Sequence, residues 1–401
     1  MFNRTKDLRL SIIKQMELRA AQYPDVISLA QGIPSFDTPP GIKRRVENAL
    51  KRGVVAKYSL SPGLPELREL IEISLSKDNM FYDWQTEILV TAGSIEGISA
   101  TILAITDPGD EIIVPEPTYT SYREVIIMAG CKPVFVSLDE AKRWSLDIDK
   151  IQKAITARTK AIFFCNPNNP TGIIFSKNDL IRLGDIAKKN NIFLISDEVY
   201  KDFIYNDKDY KDEKSILFSL AEMPEYRERM IRIFSFSKAY AMTGWRVGYL
   251  HSDESIVREI TKIHDSLVTC APVISQYAAM GALEMAQDDV LYFKNEFHKR
   301  RDMMCARLDR HQGKISYVKP DSAYYVFPKF NYKSKYSDKN YPNSNSWNFA
   351  LELLDIAQIA LVPGFAFGPS GENHLRLSFG RSEKDINDAF DRLDIFISKY
   401  L

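Results

Sequence analysis

From about residue 85 to residue 250, short apolar runs rich in β-branched residues alternate with longer amphipathic stretches. The runs are EILVTAG (87–93), DEIIVPE (110–116), KPVFVSL (132–138), KAIFFCN (160–166), NIFLISDE (191–198), MIRIFSFS (230–237) and WRVGYL (245–250). Between them, IEGISATILAIT (95–106) and NDLIRLGDIAKKN (178–190) predict helices, the second with apolar residues at helical spacing. Strands alternating with helices predict an α/β architecture around a largely parallel sheet covered on both faces. Ligands of such sheets bind beyond the carboxyl ends of the strands, so the polar residues that follow each run are the ones to inspect.

The later part of the chain reads differently. A long charged helix is predicted over 283–310, followed by SAYYVFPKF, a second amphipathic helix near 346–357, the strands IALVP and HLRLSFG, and a last helix over 382–399. Strands mixed with covering helices predict a smaller α+β domain. The polar stretch NYKSKYSDKNYPNSNS (331–346) reads as a surface loop or flap that would flank a pocket in that domain.

Composition narrows the function classes. Of the 401 residues 45% are hydrophobic and 26% charged, an ordinary globular balance that excludes a disordered or disulfide-stapled chain. Its 53 basic and 53 acidic residues cancel, and neither sign forms a long block. That argues against nucleic acid and against a polybasic membrane contact, and it moves recognition to a local site. Cys131, Cys165, Cys270 and Cys305 form no CxxC pair, so neither a zinc motif nor a disulfide framework is predicted, no metal is expected, and a reducing cytoplasm is the expected location. The N-terminal residues alternate charged and apolar, and no run approaches the roughly 20 apolar residues that a membrane span needs.

The strand ends carry the chemistry. After EILVTAG comes Gly93-Ser94-Ile95-Glu96-Gly97, a small-residue turn into a helix whose first backbone N–H groups would be free for an anion, unless the turn is a plain one capped by Ser94. After KAIFFCN, the segment 167–172 (PNNPTG) fixes irregular backbone around Asn169, which could orient an oxygen-bearing ligand or simply bond locally. Asp197 and Tyr200 follow NIFLIS; an acid there either caps the next turn or faces a cationic partner such as a protonated ring nitrogen. Lys238 follows a strand among small and aromatic residues, where burial would lower its pKa and make the amine nucleophilic, and Arg246 eight residues on offers a fork for phosphate. Taken singly, Lys238 reads as a surface amine. An amine nucleophile, an acid, an anion-ready helix start and an arginine at successive strand ends form the set that pyridoxal phosphate needs.

The motifs SLAQGIPSFDTPP, KYSLSPGLPELR, VTAGSIEG, PEPTYTSY, NPNNPTG, ISDEVY, SFSKAYAMTGWRVGY and HLRLSFG resemble, in order and spacing, the class I/II aminotransferases of the fold-type I pyridoxal-phosphate enzymes. The resemblance covers about residues 28 to 385 and implies a large domain with a mostly parallel seven-stranded sheet (41–282), plus a small α+β domain made of an N-terminal segment (1–40) and the C-terminal part (283–401). It implies that Lys238 holds the cofactor covalently and then carries the proton, that Asp197 keeps the pyridine nitrogen protonated, and that Tyr200 and Asn169 bond its phenolic oxygen. Gly93, Ser94, Ile95, Ser235 and Arg246 would bind the phosphate, with Tyr58 reaching in from the second subunit of a homodimer. Tyr119 would stack on the ring, and Arg376, beside Gly32 and Asn169, would fork the substrate carboxylate. From the residues alone, Tyr119 reads equally as a core aromatic, Tyr58 as a surface tyrosine and Arg376 as the solvent face of a strand.

The implied reaction passes the amino group of an L-amino acid to the cofactor and then to a 2-oxo acid such as 2-oxoglutarate, in ping-pong order. Aspartate-using relatives carry a lysine where this chain has Ile95, which argues against a strict aspartate preference and leaves aromatic or broad specificity open. A carbon–sulfur β-lyase or an aminocyclopropane-carboxylate synthase would keep the same core residues. A regulatory binding module is remote, since no helix-turn-helix segment is appended.

Overall fold

The computed structural model describes residues 5–205 and 217–401; residues 1–4 and 206–216, which fall within the first and second of the expected domain spans, lie outside the described residues. The seven runs become seven strands of one sheet. In spatial order they are Ile88–Thr91, Gly248–His251, Met230–Ser235, Phe193–Asp197, Thr159–Cys165, Glu111–Glu116 and Lys132–Ser137. All neighbours pair in parallel except Gly248–His251, which runs antiparallel to both of its partners. Inner strands such as Glu111–Glu116 and Met230–Ser235 are buried at every residue, because helices cover both faces, whereas the edge strand Lys132–Ser137 begins on an exposed lysine.

Two sequence boundaries shift. WRVGYL is a strand only from Gly248 onward: a turn over 243–245 is followed by irregular Arg246, at φ 56°, and Val247, and the backbone is close enough there that a Cβ on Gly248 would lie 2.6 Å from the Phe234 carbonyl oxygen. The helix expected over 283–310 is two helices, Val273–Met285 and Gln287–Leu308, separated by Ala286 at φ −114°, ψ 14°. Asp288 and Asp289 sit in the first turn of the second, where they complement its dipole, so the charged pattern begins a new helix and does not continue the apolar one.

The C-terminal part holds a three-stranded antiparallel sheet of Tyr325–Val326, Leu375–Ser378 and Val362–Pro363, in which Arg376 stands opposite Val362. IALVP splits between two sheets: Val362–Pro363 joins this one, while Ile359–Ala360 pairs in parallel with Ile27–Ser28 and draws the N-terminal segment onto the C-terminal part. The last two helices are Asn345–Ala357, capped by the Ser344 hydroxyl, and Glu383–Tyr400. Segment 331–344 is irregular, in keeping with its reading as a loop, and is tied down by Ser334 to Glu352 and by Asp338 N–H to Asn348; it does not line the main cleft, so it does not flank that pocket as expected. Short polar side chains bonding a neighbouring helix explain its Asn/Ser content. No helix among the described residues is long and apolar enough to cross a membrane.

Candidate active site

The carboxyl ends of the central strands open into a cleft of about 980 Å³. Its walls include Gly32, Ser94, Ile95, Tyr119, Asn169, Asp197, Tyr200, Ser235, Lys238, Arg246 and Arg376. Parallel register is what gathers them: Cys165 pairs with Asp197, so two strands end at the same level, and Asp197 pairs with Ile233, two residues before the third strand ends at Ser235. Gly93 leads the Ser94–Ile105 helix into the cleft, and Tyr58, 85% exposed, stands outside it on the surface.

Lys238 lies on the turn after Met230–Ser235, and its Nζ donates to the Gly32 carbonyl at 2.7 Å, which also accepts the Tyr324 hydroxyl at 2.9 Å. Burial, reinforced by the Arg376 and Arg246 guanidiniums and opposed by Asp197, pulls the Lys238 amine down to about 8. Asp197 is 4% exposed. Burial pushes its carboxyl up to about 6, against the Tyr122 hydroxyl, which donates to Oδ2 at 2.8 Å, and the Val199 N–H, which donates to Oδ1 at 3.3 Å. The carboxylate therefore both caps the following turn and faces the cleft.

Arg376 is 1% exposed, which overturns the reading of it as the solvent face of a strand. Nη1 donates to Asn169 Oδ1 at 3.1 Å and Nη2 to the Ala30 carbonyl at 2.5 Å, while the guanidinium lies over the rings of Tyr325 and Phe367. Among the described residues its Nε is buried without a partner. A buried guanidinium whose bonds go only to neutral acceptors is built to receive an anion. Asn169 in turn donates from Nδ2 to the Tyr200 hydroxyl at 3.2 Å, and Tyr200 meets the Tyr325 hydroxyl at 3.0 Å.

At the other end of the cleft, the Ser94–Ile105 helix starts without a side-chain cap among the described residues. Gly93 adopts φ 79°, ψ 163°, a conformation nearly closed to other residues, and a Cβ there would lie 2.5 Å from Arg246 Nη2. Glu96 accepts the Ala92 N–H from inside the turn at 3.0 Å, leaving the front of the helix open. Ser235 and Ser237 hydroxyls, 2.9 Å apart, and the exposed Arg246 complete a cradle of donors.

These groups fit pyridoxal 5'-phosphate, with an amine of lowered pKa, a buried carboxylate, donors for a phenolic oxygen, an anion cradle and a second anion fork. Residue patterns alone missed Tyr122, Ser237, Tyr324, Tyr325 and the wall of the cleft formed from segment 11–18. Ser237 stood legible beside Lys238 in SFSK. The others were not marked, because they come from a helix start, an apolar strand and an N-terminal helix (Ile12–Ala20) that become neighbours of the site only through the fold.

Fold and site together define a pyridoxal-phosphate-dependent transferase of amino groups. Residues 24–393 match the family Aminotransferase class I and II, and the chain belongs to that family. It is similar, at 35% identity across 96% of both chains, to an aspartate aminotransferase of Pyrococcus abyssi. It is 37% identical to a probable aspartate/prephenate aminotransferase of Aquifex aeolicus, over 95% of this chain and 93% of that one. Among solved structures, the aromatic aminotransferase of Pyrococcus horikoshii superposes with a TM-score of 0.85 at 33% identity, covering 96% of this chain and 99% of that one. The aspartate aminotransferase of Thermotoga maritima gives 0.87 at 31% identity, with full coverage of both. The chain is an aminotransferase, and its family implies pyridoxal phosphate; relatives of this kind do not favour a lyase or a cyclopropane synthase.

Proposed function

We propose that Lys238 holds pyridoxal phosphate covalently and carries the proton during amino transfer from an L-amino acid to a 2-oxo acid. The observation that carries this is the convergence, in one cleft, of the Lys238 amine with the buried anion Asp197 on one side and the buried cation Arg376 on the other. Bound there, the cofactor supplies an electron-accepting ring that stabilises the charge left when the substrate Cα loses its proton. Asp197 offers the negative partner for the ring nitrogen, and the low dielectric of its site strengthens that pairing. Tyr200 and Asn169 present an O–H and an N–H to the phenolic oxygen. The Ser94 and Ile95 backbone with Ser235, Ser237 and Arg246 hold the phosphate, and Tyr119 covers the ring face. Arg376 orients the substrate carboxylate beside Gly32, so that the Cα hydrogen faces the Lys238 amine.

Names of relatives divide between aspartate, aromatic and diaminopimelate substrates, so the cleft itself is the guide to side-chain choice. Its outer wall is apolar, made by Ile13, Ile33, Ile95, Ile98 and Tyr119, with the exposed ammonium of Lys14 at the rim. An apolar wall supports a broad pocket that takes aromatic side chains, and Lys14, with Glu17 also lining the cleft, is the cation available to an acidic one. Tyr58, Leu60 and Leu267 are exposed, and Ser61 donates to Asp265, which brings the segments carrying Leu60 and Leu267 together; a second copy of the chain would cover these apolar side chains and bring Tyr58 to the partner's phosphate. The small domain then comprises 1–40 with 283–401, joined by the Ile27–Ser28 pairing, around a large domain of 41–282. Four free, buried thiols suit a reducing cytoplasm.

The test is spectroscopic. Adding an amino acid alone to the holoenzyme bleaches the visible band of the lysine-bound cofactor, and adding a 2-oxo acid restores it; an unchanged spectrum across a broad amino acid panel would leave a binding role as the better reading.

A further inference from the structure

The Asp197 carboxylate has an unexpected partner. Among the described residues its side chain accepts two hydrogen bonds, a long one from the Val199 N–H at 3.3 Å and a short one from the Tyr122 hydroxyl at 2.8 Å. Tyr122 is wholly buried in the first turn of the Ser121–Met128 helix, and its ring is seated between two others: Phe163, with centroids 4.0 Å apart, and Tyr119, edge-on at 5.5 Å. Phe163 belongs to a central strand and Tyr119 lines the cleft, so the hydroxyl is held by packing on both sides.

We propose that Tyr122 is a positioning residue for amino transfer, fixing the plane of the Asp197 carboxylate and keeping it the anion that faces the cofactor's ring nitrogen. The inference rests on the assignment of Asp197 to that nitrogen. A buried carboxylate gains most from a donor that cannot itself lose its proton. Tyr122 meets that condition, because burial and the neighbouring Asp197 hold its hydroxyl well above the ordinary tyrosine range. The direction of the effect follows. A donated hydrogen bond makes Asp197 a weaker base, so the proton shared between carboxylate and ring nitrogen sits on the nitrogen, and the ring stays cationic. Without the hydroxyl, Asp197 becomes the stronger base and the ring drifts toward the neutral, poorer electron acceptor.

The readout is the nitrogen-15 NMR signal of the ring nitrogen in holoenzyme loaded with labelled cofactor, recorded for wild type, Tyr122→Phe and Asp197→Asn at the same pH. A hydrogen bond to a charged group corresponds to roughly a 10- to 100-fold change in the proton equilibrium, so Tyr122→Phe moves the signal from the pyridinium range toward the neutral pyridine range. Asp197→Asn moves it further the same way. In parallel, kcat falls by about the same factor while KM for the amino acid holds, because Arg376 is untouched. Should Tyr122→Phe fail to fold, Phe163→Leu keeps the hydroxyl but loosens its seat, and it must shift the signal in the same direction by less. A signal unmoved in the foldable Tyr122 or Phe163 variant but moved in Asp197→Asn overturns the role of Tyr122. A signal unmoved in Asp197→Asn overturns the assignment of Asp197 itself.

Discussion

Lys238 needs to be nucleophilic at neutral pH and yet stand among cations, and the same surroundings achieve both. Burial and two nearby guanidiniums bring its amine down to about 8, so each pH unit below that value cuts the free amine about tenfold. Capture of pyridoxal phosphate by the apoenzyme should therefore quicken with pH up to an inflection near 8, and stopped-flow absorbance should show that inflection move upward in Arg376→Gln, which removes one of the cations. Lys238→Ala should still bind the cofactor, measured by dialysis, while turnover falls by roughly a thousandfold or more for want of the proton carrier. Arg376→Lys should lower kcat/KM by about 10- to 100-fold for amino acids of every side-chain class, since an ammonium cannot reproduce the fork; a loss confined to one class would mean that Arg376 reads side chains. At this scale the sequence was informative wherever a residue ends a strand, as Lys238, Asp197 and Asn169 do. It was silent on Tyr122, which lies 75 positions from Asp197 and meets it only after helix and strand have packed.

At the scale of elements, periodicity found the strands and missed the places where local backbone rules interrupt it. Trp245 and Val247 fit a strand pattern, yet the chain around Arg246, at φ 56°, is irregular and places Arg246 at the cleft. The apolar tail of one helix and the charged head of the next read as a single helix because nothing in the pattern marks Ala286 as a break. The glycine of the anion turn, by contrast, announces its own geometry. Gly93→Ala should cost roughly 1–3 kcal/mol of backbone strain and crowd Arg246, visible as a lower melting temperature and weaker cofactor retention on gel filtration. The Ile12–Ala20 helix carries no motif that marks it as part of a site, yet it supplies part of the wall of the cleft. Lys14→Ala on that helix should raise KM for glutamate about two- to fivefold and leave KM for phenylalanine unchanged, the range expected of an exposed ion pair.

For the whole molecule, the net charge of zero and the few charged groups in the cleft agree: recognition is local, and no global field steers substrates. The resemblance in sequence anticipated a mostly parallel seven-stranded sheet, whereas strand composition alone gives only the α/β class, and the strand order and the one antiparallel member appear only in the structure. In the proposed homodimer, Tyr58, which is 85% exposed and does not line its own cleft, would complete the site of the partner. Mixing unfolded Tyr58→Ala and Lys238→Ala chains and refolding them together should restore activity that neither has alone, because the hybrid dimer contains one site with both residues intact; no recovery would place Tyr58 outside the partner's site. The most direct test of the whole account is a single turnover of holoenzyme with an amino acid and no acceptor. The account predicts loss of the visible cofactor band with one equivalent of 2-oxo acid released per bound cofactor, reversal by a second 2-oxo acid, and none of this in Lys238→Ala. A band that returns unaided while ammonia accumulates would contradict it.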